Sequence, residues 1–175
     1  MNARKRVAFD VTPLLYRQTG IARVTANLLR AFREISVKYE FVLFGRRLLG
    51  KEVELRESDL PLRRLRLPRA AEPFVRRLGL VERICRADLY HATDFYLPLR
   101  DSSLSVSTVH DVLFLTDSEG SVDHARLARW APAFAKRAAA VIAVSEFTKS
   151  QIESVLGVDR DRIHVIHSGV DRDMF

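Results

Sequence analysis

The sequence predicts a doubly wound, mostly parallel α/β sheet of the Rossmann-like kind, and three observations carry that prediction. Short apolar, β-branched runs recur along the 175 residues. Between them the apolar spacing changes to three and four residues, the period of a helix packed on one face. The two patterns alternate from one end to the other. Alternation of this kind gives a parallel sheet with helices on both faces, wound by right-handed crossovers.

Residues 6–11 (RVAFDV) form the first expected strand, with Asp10 near its end. Pro13 and Gly20 make residues 12–19 a loop. Ile21, Val24, Leu28, Phe32 and Ile35 then fall at helical steps, opposite Arg23, Asn27, Arg30 and Arg33. Residues 39–44 read as a second strand stopped by Gly45, and residues 53–56 as a third with less apolar support. Two prolines make residues 60–68 irregular. Residues 72–86 read as a helix with Pro73 in its first turn and Phe74, Leu78, Val81 and Cys85 on one stripe. That stripe makes Cys85 a core residue.

Residues 88–92 form a short strand, 93–103 a loop containing Pro98, and 104–109 the central strand. The central strand delivers His110 and Asp111 to its carboxyl end. Gly120 marks a loop over 116–121, and residues 123–139 are helical, with Leu127, Trp130, Ala131 and Phe134 on one side. Pro132 must kink that helix or divide it. Residues 140–144 are a buried strand, and Ser145 is the natural N-cap of the next helix. Phe147, Ile152, Val155 and Leu156 mark that helix, and Gly157 ends it. Residues 162–166 are a last strand, and 168–171 a turn leading away.

An apolar share of 47% excludes a mainly disordered chain. No run approaches the roughly 18 apolar residues of a membrane span. The basic start is followed by only about five apolar residues, too few for a signal peptide. The single Cys85 excludes an internal disulfide framework and a cysteine-rich metal site. A cytoplasmic protein is the simple expectation. The net charge of +7 is concentrated: residues 61–86 hold eight arginines (63, 64, 66, 69, 76, 77, 83 and 86) against Glu72 and Glu82. Such a patch suits phospholipid headgroups or a pyrophosphate-linked lipid, unless it is only a solvated helix face and loop. Nucleic acid is not expected, because no aromatic residues interleave the arginines and no nucleic-acid motif is present.

Ligands of open α/β sheets bind outside the carboxyl ends of the strands. Asp10, His91, His110 and Ser145 should collect there, with His167 after the last strand. Gly20, ahead of the first helix, lets a ligand approach the backbone closely. There is no G-x-G-x-x-G and no G-x-x-x-x-G-K-[ST], so nucleotide sites of those types are not expected. The five histidines lack close ligand spacing, and no metal is expected. Without a G-x-S-x-G elbow, Ser145 is a helix cap before it is a ligand contact. By spacing alone, a lone strand-end histidine such as His110 is more often structural than functional.

The order of these residues resembles a family. Val7-Ala-Phe-Asp10, then Thr19-Gly-Ile-Ala-Arg23 and Asn27-Leu-Leu-Arg-Ala-Phe32, is similar to the opening of the N-terminal half of glycosyltransferase family 4, the glycosyl transferases group 1 with the GT-B fold. His110-Asp111 resembles that family's His-Asp pair after a central strand. Residues 139–150 (AAVIAVSEFTKS) and 157–175 (GVDRDRIHVIHSGVDRDMF) resemble its two following motifs. Ala22 stands where the motif commonly has glycine, Val24 where an aromatic is frequent, and the proline often found shortly after the His-Asp pair is missing.

The resemblance implies one half of a GT-B architecture: residues 1–168 as the acceptor-side domain, 169–175 as the start of a linker, and a nucleotide-sugar-binding domain absent from the chain. It implies transfer of a sugar, of the hexosyl type, from a nucleotide-sugar donor to a glycan or lipid-linked acceptor, with retention of configuration. No metal or other cofactor is implied, the nucleotide-sugar being a co-substrate. His110 would contact the transferred sugar and is the catalytic candidate. Gly20 would lie near the donor diphosphate, while His91, Asp94 and Asp111 would line the acceptor side with Asp10 and Ser145. The isolated chain is then expected to be inactive. Surface-polysaccharide or glycolipid synthesis is the implied setting. Arg63, Arg64, Arg66, Arg69, Arg76 and Arg77 would make a peripheral contact with an anionic membrane at its inner face. The alternative is a non-catalytic Rossmann-like module that binds a partner protein or an anionic ligand.

Overall fold

The computed structural model describes residues 4–15, 19–34, 38–46, 60, 62–66, 68–96, 98–101, 104–116 and 122–170. Among them, seven strands pair in parallel in the order β3-β2-β1-β4-β5-β6-β7. These are β1 (Lys5–Asp10), β2 (Tyr39–Arg46), β3 (Leu62–Leu65), β4 (Leu89–Ala92), β5 (Ser105–Val109), β6 (Ala140–Ala143) and β7 (Ile163–Val165). The chain winds outward from β1 to β3, returns to the other side of β1, and winds outward again from β4 to β7. The expected doubly wound sheet is therefore present, and its order reverses between β1 and β4.

Helix α1 (Gly20–Glu34) covers one face, closing a small core of Phe9, Val11, Leu29 and Leu43. The other face carries the larger core, where Val81 and Cys85 of α3 (Leu80–Cys85) meet Phe134 of α5 (Val122–Arg137) and Val109 and Val141 of the sheet. Helix α2 (Glu72–Arg77) adds Val75 to it, and Ile152 and Leu156 extend it beyond α6 (Glu146–Gln151). A short helix, α4 (Leu113–Thr116), follows β5. Cys85 is buried, as its stripe suggests, and burial pushes its thiol up to about 11.

Several local expectations are corrected. Residues 62–65 lie in the stretch expected to be irregular, yet they form the edge strand β3, paired from Leu43↔Leu62 to Arg46↔Leu65. The two prolines stand at 61 and 68, outside the strand, and Leu65 enters the core. The expected strand at 53–56 lies outside the described residues, as do Ile35 and the linker residues 171–175. The single helix over 72–86 is two helices, because Gly79 between them takes φ +57°. The break resets the helical phase, so Val75 replaces Phe74 and Leu78 on the buried stripe. Pro132 does not divide α5, which runs through it while Ala131, Phe134 and Ala135 stay buried on the sheet. On α1 the buried positions are Ala22, Thr25 and Leu29 rather than Ile21, Val24 and Leu28, which are half-buried. Gly45 lies inside β2 instead of stopping it. A Cβ there would come 2.7 Å from Leu15 Cδ1 in the 3-10 turn Thr12–Leu15, which replaces part of the expected loop.

Ser145 caps α6 as expected: its extended backbone precedes the helix, and its Oγ accepts the Thr148 amide at 3.0 Å. Ser145→Ala is expected to cost about 1 kcal/mol. Urea unfolding checks it, and an unchanged midpoint would mean the cap bond contributes nothing.

Candidate functional site

The reversal point between β1 and β4 is where a ligand crevice forms in such sheets, and the site is built outward from it. Asp10 ends β1 and is buried. Its Oδ1 accepts the Thr12 amide at 2.8 Å, which fixes the carboxylate in the turn after the strand. Burial outweighs that bond and pushes the Asp10 carboxyl up to about 7, with Asp94 adding repulsion and Arg46 opposing it. After β4, the Thr93 hydroxyl donates to the Asp10 carbonyl at 3.0 Å, tying the two strand ends together. Asp94 follows, with its Oδ1 accepting the Phe95 amide at 2.7 Å. Burial raises its carboxyl too, and Asp111 adds to this while His110 opposes it.

His110 stands just beyond β5, with Nε2 2.9 Å from the Thr93 carbonyl. A carbonyl only accepts, so Nε2 carries the hydrogen. In the neutral ring Nδ1 is then the acceptor. The Thr148 hydroxyl reaches the His110 carbonyl at 3.4 Å, and Thr148 also meets Ser145 Oγ at 2.9 Å. The ends of β1, β4, β5 and β6 are thus linked by side-chain bonds around Asp10, Thr93, His110 and Ser145.

The structure divides the candidates. Asp10, Asp94, His110, Asp111 and Ser145 come together at the strand ends. Asp111 is exposed, and its Oδ1 accepts the Leu113 amide at 3.1 Å, capping α4. Gly20 begins α1, and among the described residues a Cβ there would meet nothing within 4 Å. His91 lies one residue short of the end of β4. It sits within β4 beneath α1, edge-on to Phe9 with Nε2 2.9 Å from the Thr108 hydroxyl. Burial pushes it down to about 4, so it is neutral at pH 7. It lines a groove of about 500 Å³ between α1 and the sheet, with Val24, Leu28, Thr108 and Ile142. His167, past β7, faces the Val144 carbonyl with Nδ1 at 3.2 Å.

Three crevice residues escaped sequence reasoning. Thr93 makes the two bonds that join the strand ends. Arg46, the last residue of β2, donates from Nη1 to the Tyr96 hydroxyl at 2.6 Å and lies 4.0 Å over the Tyr96 ring. Arg46 could have been found only by its place at a strand end, and Tyr96 carried no local signal. Among the described residues, no group of three or more His, Cys, Asp or Glu side chains is arranged to hold a metal ion.

A family model described as Glycosyltransferase Family 4 matches residues 18–174. No curated protein matches the sequence. Among solved structures, the chain is similar to a glycosyltransferase from Rickettsia africae ESF-5, at 16% identity and TM-score 0.60, covering 98% of this chain and 45% of that one. It is similar to Anabaena Alr3699/HepE in complex with UDP-glucose, at 16% identity and TM-score 0.63, covering 97% and 45%. The complex of the same Anabaena protein with UDP and glucose gives 17% identity and TM-score 0.62, covering 98% and 46%. At these identities the likeness establishes the fold, and the chain spans less than half the length of those proteins.

Proposed function

The chain belongs to Glycosyltransferase Family 4, and from that premise we propose that it is the acceptor-side half of a retaining, nucleotide-sugar-dependent glycosyltransferase. The observation that carries this reading is the placement of His110. The ring is bonded to the Thr93 carbonyl at the reversal point of the sheet, where its second nitrogen can accept a sugar hydroxyl. In this reading residues 1–168 are the Rossmann-like half of a GT-B enzyme and 169–175 begin the link to the half that binds the nucleotide. An Anabaena protein of similar fold is seen with UDP-glucose, which supports a UDP-sugar as the donor to test first. His110 contacts the transferred sugar. Gly20 admits the donor diphosphate at the start of α1. Asp94, Asp111 and Ser145 line the path of a glycan or lipid-linked acceptor, Asp10 supports the crevice floor, and His91 holds the sheet behind it. Catalysis rests on orienting the two substrates and stabilising the departing diphosphate. No metal or other cofactor takes part.

The proposal is tested by UDP release. The enzyme with both halves, offered UDP-sugars and glycan or lipid-linked acceptors, releases UDP only when donor and acceptor are both present. The 175-residue chain alone releases none. Turnover by the isolated chain would overturn the half-site reading. Absence of acceptor-dependent release from the two-half enzyme, across the nucleotide-sugars, would overturn the transferase reading.

A further inference from the structure

We propose that Thr93 is a positioning residue of this site: its hydroxyl and its carbonyl together hold the His110 ring with Nδ1 free to meet the sugar. The role rests on the transferase reading above and gives a part to a residue that acts only through another. Thr93 is buried and follows the last residue of β4. The β1–β4 ladder ends at Phe9↔His91 and the β4–β5 ladder at Ala92↔Ser107. Beyond those rungs the chain bends over residues 93–95, and bonds from side chains take over from the ladder. Toward β1, the Thr93 hydroxyl donates to the Asp10 carbonyl at 3.0 Å. Toward β5, the Thr93 carbonyl accepts from His110 Nε2 at 2.9 Å. The next residue is held as well. Its carbonyl accepts the Ser107 hydroxyl at 3.4 Å, and Asp94 Oδ1 accepts the Phe95 amide at 2.7 Å. Turning the Thr93 carbonyl away from His110 therefore strains bonds on both sides of it.

His110 is gripped at two points. Its own carbonyl accepts the Thr148 hydroxyl at 3.4 Å, which fixes the main chain just beyond β5. The freedom left is the rotation of the ring and the choice of the nitrogen that carries the proton. The Thr93 carbonyl removes both. As an acceptor it excludes the neutral tautomer with the proton on Nδ1, whose bare Nε2 would face it lone pair to lone pair. A half-turn of the ring about Cβ–Cγ would break the bond and put a carbon where Nδ1 stands. A residue that only closed the ends of β1 and β4 would need the hydroxyl bond to Asp10 and nothing more. Thr93 uses that bond to aim its carbonyl across the end of β5 at an imidazole. Transfer depends on such aim, because misplacing a group by about 1 Å can cost about 10²-fold in rate.

A double-mutant cycle on the two-half enzyme tests it. Thr93→Val replaces the hydroxyl with a methyl group of nearly the same shape. kcat and kcat/KM for the donor should fall together, by about tenfold. Thr93→Ser keeps the hydroxyl and should return kcat to within about threefold of native. In a His110→Ala background, Thr93→Val should change kcat by less than about twofold, since the ring it serves is gone. Tyr90→Phe removes a different buried hydroxyl from β4, one that accepts the Ala87 amide at 3.2 Å. It should leave kcat within about twofold of native.

A second readout needs no transfer. In the isotope-labelled chain, magnetic resonance follows exchange of the His110 Nε2 hydrogen with water. That exchange should be about tenfold faster in Thr93→Val than in the native chain or in Tyr90→Phe. Circular dichroism confirms folding, and Thr93→Ala serves if the valine variant loses its spectrum. Equal losses from Thr93→Val in the native and His110→Ala backgrounds overturn the proposal. So does an equal loss in Tyr90→Phe, or ring exchange unchanged by Thr93→Val. An absence of transfer from the native two-half enzyme overturns the transferase reading instead, and the exchange rate still decides whether Thr93 holds the ring.

Discussion

Asp10→Asn is expected to stabilise the protein at pH 8 and to uncover a pH dependence that the native chain hides. The buried carboxyl has its value raised from 3.8 to about 7. Between those values the folded protein holds a proton that the unfolded chain releases, so stability falls as pH rises through the window. Above pH 7 the charge is present in both states and the full penalty remains. Three pH units correspond to at most about 4 kcal/mol, and the interaction with Arg46 takes back part of it. Asparagine keeps an acceptor for the Thr12 amide at nearly the same shape and removes the charge. His91 acts in the opposite sense. Burial lowers it from 6.5 to about 4, so between these values the unfolded chain binds a proton that the folded one excludes, and stability rises with pH. The two slopes offset one another between about pH 4 and 6.5. Asp94, whose buried carboxyl is also raised, adds its own falling slope in both chains. In urea unfolding across pH 4 to 8, Asp10→Asn should therefore gain on the native chain steadily as pH rises, by 2 or more kcal/mol at pH 8, on the order of half the ceiling. No gain at pH 8 would mean that Asp10 is not a buried charge at neutrality.

His110→Ala should have the largest effect on transfer. In the role proposed for His110, losing one hydrogen-bonding group at the transferred sugar lowers kcat by about 10²–10³. Folding should lose only about 1 kcal/mol, the net worth of the bond to the Thr93 carbonyl. His110→Gln discriminates further. Its amide can still donate to that carbonyl, so stability returns, but its geometry at the second position differs and transfer stays low. The measurement is kcat and KM on the two-half enzyme beside urea unfolding of the same variants. A loss of stability matching the loss of transfer would reduce His110 to a structural residue. A kcat within about threefold of native would remove it from the reaction.

Local chemistry made much of the site legible. Ser145 was readable as a cap because a hydroxyl residue separates a buried strand from an amphipathic run, and its bond to the Thr148 amide follows from backbone geometry alone. His110 was readable as a strand-end residue for the same local reason. His91 looked equivalent and is not, because it lies inside β4, on the face beneath α1, whereas His110 stands beyond the last residue of β5. Arg46 and Tyr96 were invisible because fifty residues separate them and only the pairing of β2 with β1 beside β4 brings them together.

By itself the sequence determined the alternation of elements, the parallel sheet they imply, and the polar residues that stand at the strand ends. These follow from side-chain periods and capping, which act over a few residues. Only the tertiary structure decided the edge strand β3, the break at Gly79, the buried face of α1, and the bonded chain from Asp10 through Thr93 to His110. Each of these depends on burial or on contacts between segments far apart in the chain, and no short window of sequence records which surface a helix will meet.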